Sequence, residues 1–214
     1  MRASLGIALM TARRSDEAVA NLATALADMK RLDTSGGPWI ANATSSHGNA
    51  LVLAGRLDEA KAEFDRTLAA ASTGPAAVDS HAGLGMIALA RKDLELARTH
   101  FDKSVELAAA GPPTRSLVAA LAGLGEVHLA AGDLASAESS LQKAEETQRT
   151  LAVRMTPVLA EILAERGRLA LAQGNAEQAT ALFGSADEFW RAFAPQSARA
   201  REAARWREQV AAKD

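Results

Sequence analysis

At 214 residues the chain can hold one or two ordinary domains or a single repeat array. A net charge of −2 and a pI near 6.1 exclude a chain-wide excess of Lys and Arg of the kind that grips nucleic acid. With no cysteine there is no disulfide, no thiolate zinc site and no thiol redox chemistry, and no apolar run reaches the roughly 18 residues that a membrane helix needs.

The alanine-rich, tyrosine-free composition favours helices that pack closely through small residues. The first stretch, residues 3–12, is apolar behind Arg2 and superficially like a short signal peptide. No small-x-small cleavage site follows it. It already belongs to a spacing that recurs along the chain. Gly6 is followed by Ala18 and Leu22, Gly48 by Ala60 and Phe64, Gly85 by Ala97 and Phe101, Gly125 by Ala137 and Leu141, and Gly167 by Ala179 and Phe183. A further small residue comes three positions later, at Ala25, Thr67, Ser104, Ala144 and Ala186. A fixed internal spacing repeated in this way is the mark of a solenoid.

The step of 12 residues from glycine to alanine spans a helix end, a tight turn and the next helix start. Gly55, Gly132 and Gly174 stand where a left-handed residue would end the first helix of a pair. Asp93, Asp133 and Asn175 follow as caps for the second helix. The first repeat has Arg13 and Arg14 at these places, which makes Ser15 the expected cap, and the second has Arg56 after Gly55. Gly and Pro at 35–38, 72–75 and 111–113 mark connections between repeats, and Pro112 and Pro113 suit a helix start. Apolar positions such as Leu84, Ile87 and Leu89 keep helical spacing. Residues 198–211 read as a final helix with Ala203, Trp206 and Val210 on one stripe, resting on Phe189, Trp190 and Phe193. At the other end Gly6 is the eighth position of its repeat with only five residues before it, which reads as a trimmed or unusual start.

The small–large–small order within each helix pair resembles the tetratricopeptide repeat (TPR) over nearly all of residues 1–190. The key alanines are 42, 37, 40 and 42 residues apart, longer than the usual period of about 34. Repeats near 40 residues resemble those in the sensor regions of large bacterial signal-transduction ATPases and transcription regulators. The stretch Ala181–Trp190 is similar to the Leu-Phe-Gly-Ala-Ala segment that often closes such regions. The resemblance implies an all-α, right-handed TPR-like superhelical solenoid of about five helix-turn-helix pairs plus a capping helix. The expected layout is one domain over 1–214, with repeats at 1–32, 38–72, 76–110, 114–150 and 157–190 and the cap at 196–212.

Signatures of chemistry are sparse. Gly83-Leu-Gly85 and Gly123-Leu-Gly125 contain a GxG, but they lie within helices, whereas a dinucleotide loop needs a strand before the glycines. His47, His81, His100 and His128 include no pair four apart on one helix. His47 and His128 fit half-buried, hydrogen-bonded roles, and His100-Phe-Asp102 has no activated nucleophile in view. The arginines of 199–207 are interrupted by Glu202 and read as a solvated face. Neither catalysis nor a metal or other cofactor is expected.

In repeats of this kind one face of each first helix lines a concave groove. By phase the lining residues are Asn42, Ser45, Asn49 and Val52, then Asp79, Ala82, Met86 and Leu89, then Ala119, Ala122, Glu126 and Leu129, then Glu161, Ala164, Arg168 and Leu171. The binding candidates are Asn42, Ser45, Asn49, Asp79, Met86, Glu126, Glu161 and Arg168. Amides could clamp a peptide backbone, and Asp79, Glu126 and Glu161 would favour a basic ligand. The expected role is a non-enzymatic protein- or peptide-interaction module in the cytoplasm, a sensory or scaffolding segment of a bacterial signalling protein. Neighbouring domains of a longer parent and self-association through the N-terminal repeat are further partners to consider; a membrane is not expected, and nucleic acid is disfavoured. The alternative is a small-molecule-sensing domain of a transcription regulator, with Trp39 as a lining candidate.

Overall fold

The computed structural model describes residues 15–32, 38–109, 111–151, 156–195 and 198–211. The first glycine position, Gly6, the apolar stretch 3–12 and the Arg13–Arg14 pair lie outside them. Every regular element among the described residues is an α-helix. The chain divides into two compact units, Met1–Pro112 and Pro113–Asp214.

The first unit contains α1 (Ser15–Leu32), α2 (Pro38–Leu53), α3 (Leu57–Ala70), α4 (Pro75–Ala90) and α5 (Leu94–Ala108). Its main core joins Ala18, Val19 and Leu22 of α1 to Ala50 and Leu51 of α2, Ala60 and Phe64 of α3, and Leu84 and Ile87 of α4. The second unit contains α6 (Arg115–Ala130), α7 (Leu134–Leu151), α8 (Pro157–Ala172), α9 (Ala176–Phe193) and α10 (Ala198–Ala211). Its cores gather Ala137, Leu141 and Leu169, Ala170, Ala179, Phe183 and Val210, and Ala160, Trp190, Ala200 and Ala203.

The turn inside each helix pair follows from local chemistry. Gly55, Gly132 and Gly174 adopt φ of +74°, +78° and +79°, and Lys92 takes the same place at +63°. The next amide then reaches back to the carbonyl five residues earlier: Arg56 to Leu51 at 2.9 Å, Asp93 to Ala88 at 3.0 Å, Asp133 to His128 at 2.9 Å and Asn175 to Ala170 at 2.8 Å. This closes the first helix through a left-handed residue. The second helix opens on a side-chain cap. Asp93 accepts from the Leu96 amide, Asp133 from Ser136 and Asn175 from Gln178, each at 3.1 Å. Arg56 offers no side-chain cap to α3.

One start differs from the sequence reading. Pro112 and Pro113 precede α6 instead of opening it. Thr114 is its cap, accepting from the Leu117 amide at 3.1 Å, because a hydroxyl acceptor satisfies a free amide of the first turn that proline cannot satisfy. The residues that would show whether Ser15 caps α1 lie outside the described residues.

The repeat's large residue sits directly on its glycine. A Cβ added to Gly48 would lie 2.6 Å from the Phe64 ring, one on Gly85 2.5 Å from Phe101, one on Gly125 2.5 Å from Leu141, and one on Gly167 2.6 Å from Phe183. Phe64 also lies against Gly83 of the following pair. The small residue three positions on completes the seam at Ser104, whose buried hydroxyl donates to the Val78 carbonyl at 2.9 Å.

Helix α10 packs on Phe189 and Trp190 as expected, but not on Phe193. Ala200, Ala203 and Val210 are buried and Trp206 lies 5.4 Å from the Phe183 ring. Trp190 is buried beneath it, while Phe193 stacks 5.2 Å from Phe189 and stays 45% exposed.

Candidate functional site

In the first unit the predicted stripe runs along α2 and α4. Asn42, Asn49, Val52, Asp79, Met86 and Leu89 are all partly buried, a row of polar and aliphatic tips at the surface. Ser45 is an exception. It is fully buried, and its hydroxyl lies 3.0 Å from the Asn42 carbonyl and 3.4 Å from Asp79 Oδ2. Ser45 is therefore internal support joining α2 to α4, not contact surface, and it brings Asn42 and Asp79 together. Ala82 is buried as well. Trp39 is 75% exposed at the start of α2.

In the second unit the stripe lies on α6 and α8. Glu126, Glu161 and Arg168 are partly buried, as are Ala119, Ala122, Leu129 and Leu171, while Ala164 is buried. Arg168 is not an isolated cation: its guanidinium donates to Glu165 at 2.7 Å. That pairing leaves the stripe less basic than the sequence suggests.

Ion pairs brace the helices behind these stripes. His47 Nδ1 lies 3.3 Å from Glu63 Oε1, joining α2 to α3 with both side chains nearly buried. Burial pushes the Glu63 carboxyl upward, but His47 and Arg66 outweigh it and hold the group below its ordinary value. In the second unit Glu145 on α7 accepts from Arg149 at 2.7 Å and from Arg166 on α8. Burial again opposes the charge, and the two guanidinium groups again win, so Glu145 is also held low. His128 keeps a half-buried place 4.0 Å from Asp133.

Two constellations escape the sequence reading. Asp187 is 1% exposed and accepts from Arg191 and from Arg207 on α10, each at 2.9 Å. Arg207 thus anchors α10 to a buried acid and is not simply part of a solvated face. The second is His81 on α4 with His100 on α5. Their Nδ1 atoms stand 3.1 Å apart and their ring centroids 5.4 Å apart. Burial lowers both from the ordinary histidine value. The charges of His100 and Lys103 lower His81 further and Lys61 lowers His100, against the opposing pull of Glu106 and Asp65. The pair is nineteen residues apart, so a search along one helix face misses it. The available signal is the phase: His100 precedes the large residue Phe101, as Glu63 precedes Phe64, and that position looks toward the first helix of its own pair. Asp102 takes no part, pairing instead with Arg98 at 3.6 Å.

A shallow depression is lined by Ala135, Glu138, Ser139, Gln142, Lys143 and Glu146. All six belong to α7, so it is an open flank with no facing wall, unlike the concave apolar sites that hold small ligands. Among the described residues no three His, Cys, Asp or Glu side chains gather around one point. No described helix is long and apolar enough to cross a membrane.

The tetratricopeptide repeat family model matches residues 76–150, which span α4 through α7. No curated protein matches the chain. Solved structures extend the TPR likeness beyond the matched stretch. BtubC (BKLC) from P. vanneervenii superposes with a TM-score of 0.64 at 17% identity, covering 88% of this chain and 78% of that one. The nearly identical TPR-like repeats assigned to a Podosopora anserina kinesin light chain give 0.57 at 19% identity, covering 92% and 95%. PilW, a type IV pilus biogenesis factor, gives 0.50 at 20% identity, covering 94% and 96%. At such identities the likeness speaks for the fold, an all-α TPR-like solenoid.

Proposed function

We propose that this TPR chain is a non-enzymatic interaction module that receives an extended peptide or a protein segment along the stripes of its first helices. The observation that carries the reading is the α2–α4 surface. The buried Ser45 hydroxyl joins the Asn42 backbone carbonyl to the Asp79 carboxylate, and Asn42, Asn49 and Met86 lie along the same stripe. A positioned carboxylate and neighbouring amides between aliphatic side chains suit a basic side chain and a peptide backbone. The acidic residues Glu126 and Glu161 on the second unit's stripe point to the same ligand chemistry.

The resemblance of residues 181–190 to the closing segment of bacterial sensor regions supports a sensory or scaffolding role in a regulatory protein. The cytoplasm is the compartment that fits that role.

The test is a peptide array scored for lysine- and arginine-containing sequences, followed by calorimetry on the best binder. Asn49→Ala/Met86→Ala removes two half-buried stripe side chains without touching the Ser45 anchor. Loss of binding with an unchanged helical spectrum supports the reading. Undiminished binding, or a preference for acidic peptides, overturns it.

A further inference from the structure

The exposed side of α2 carries a pattern that the repeat itself does not require. At about 100° of rotation per residue, Trp39, Asn42, Ser46, Asn49 and Leu53 fall on one narrow face of the helix. Both ends of this face are apolar and open, Trp39 at 75% exposure and Leu53 at 42%. Between them stand two amides and a hydroxyl, all half-buried. None of these three side chains is hydrogen-bonded to another described residue.

Packing within the repeat does not explain the two large residues. The place of Trp39 is taken by Ala76 in α4 and Ser116 in α6, and that of Leu53 by Ala90 and Ala130. Small side chains suffice there, so the apolar surface of Trp39 and Leu53 is kept for a partner. Tryptophan is the residue type most often found as the anchor of an interface.

We propose that Trp39 and Leu53 are two apolar anchors for an extended basic peptide whose backbone lies across Asn42, Ser46 and Asn49. This inference rests on the peptide-binding reading above and gives it a register. The occupant is extended because the amides and the hydroxyl need free backbone N–H and C=O groups, and a helix has already paired its own. Asp79, joined to the buried Ser45 hydroxyl at 3.4 Å, borders the row and favours a basic side chain there.

The spacing of the anchors sets the spacing in the ligand. Leu53 follows Trp39 by 14 residues, which is about 21 Å along a helix. An extended chain rises about 3.3 Å per residue, so the span equals about six residues. An even step also returns both apolar side chains to the same side of the peptide. The ligand is a segment with two large apolar residues, about five residues between them, and a Lys or Arg within that spacer.

The experiment uses the full chain and synthetic peptides in which two leucines are joined by Ser-Lys spacers of graded length. Calorimetry measures affinity. The indole N–H resonance of Trp39, assigned by its loss in Trp39→Phe, reports contact. The expected result is tightest binding at a spacer of about five residues, with the Trp39 resonance shifted. Trp39→Ala and Leu53→Ala should each weaken that peptide at least roughly tenfold with an unchanged helical spectrum. If Leu53→Ala fails to fold, Trp39→Ala and the resonance in the parent chain decide. Binding that ignores spacer length overturns the anchors. So does binding that survives both substitutions while Asn49→Ala/Met86→Ala abolishes it, and that outcome leaves the stripe reading intact. Absence of binding at every spacing overturns the anchors as well, and the peptide array then decides the stripe separately. A concentration-dependent dimer that Trp39→Ala dissolves would assign the patch to a second copy of the chain and would equally overturn the proposal.

Discussion

A Cβ on Gly85 would sit 2.5 Å from the Phe101 ring, so the glycine that marks the repeat is the floor on which its largest side chain rests. The same relation holds for Gly125 with Leu141 and Gly167 with Phe183. Glycine inside a helix costs about 1 kcal/mol relative to alanine. The repeat accepts that cost because the ring of Phe101 is fully buried against α4.

Gly85→Ala should therefore destabilise the first unit despite its better helix propensity. Overpacking of this kind costs about 1–3 kcal/mol, which outweighs the propensity gain. Urea denaturation measures it. Adding Phe101→Leu should restore little of the loss, since a Cβ on Gly125 would meet Leu141 at the same 2.5 Å. A stabilised Gly85→Ala variant would show that the ring moves aside freely.

Lys92 holds a left-handed backbone, φ +63°, at the turn where three other repeats use glycine. It is exposed. Lys92→Gly removes the Cβ strain while adding some unfolded-chain entropy. The net expectation is a gain of roughly 0.5–1 kcal/mol, read as a higher urea midpoint with an unchanged slope.

Asp187 and its two arginines give an asymmetric test. Arg191 and Arg207 are about half exposed and can hydrate if the acid is lost, whereas the acid is buried. Asp187→Ala should cost about 1–3 kcal/mol through lost charge-assisted hydrogen bonds. Arg191→Ala/Arg207→Ala should cost more, about 3–5 kcal/mol, because it strands a buried carboxylate. Thermal unfolding of the two variants checks the order, and the reverse order would refute the account.

Acid should loosen both units through Glu63 and Glu145. Each is held below the ordinary carboxyl value of 4.5 in the folded chain. A depressed folded pKa contributes stability above the unfolded value and loses it as pH falls through the folded value. Their contribution should thus be level near neutrality and be lost below about pH 5, on top of an earlier decline that starts near pH 6.5, where His81 and His100, also held low in the folded chain, begin to bind protons in the unfolded one. Glu63→Gln and Glu145→Gln should each flatten the carboxylate part of the decline, as measured by urea midpoints across the acid range.

The pattern is legible where the chemistry is local. The left-handed glycines at 55, 132 and 174 and the caps at Asp93, Asp133 and Asn175 involve residues within one turn of each other, and all stand as the spacing implies. The start of α6 is harder to read because proline suits a helix start in general, while Thr114 carries a specific acceptor. Of the stripe residues, Ser45 cannot be separated from Asn49 by phase alone. Both lie on one face of α2, and only the position of Asp79 on α4 makes Ser45 interior.

The sequence by itself determined that this chain is a series of helix pairs with small residues at fixed seams, because helix periodicity, turn glycines and caps act over a few residues. Tertiary structure alone decided which polar groups meet. The Ser45–Asp79 bond, the Asp187–Arg207 anchor and the His81–His100 pair each join different helices. Such meetings depend on how two helices are rotated and set against each other, and that is settled by packing in three dimensions rather than by position along the chain.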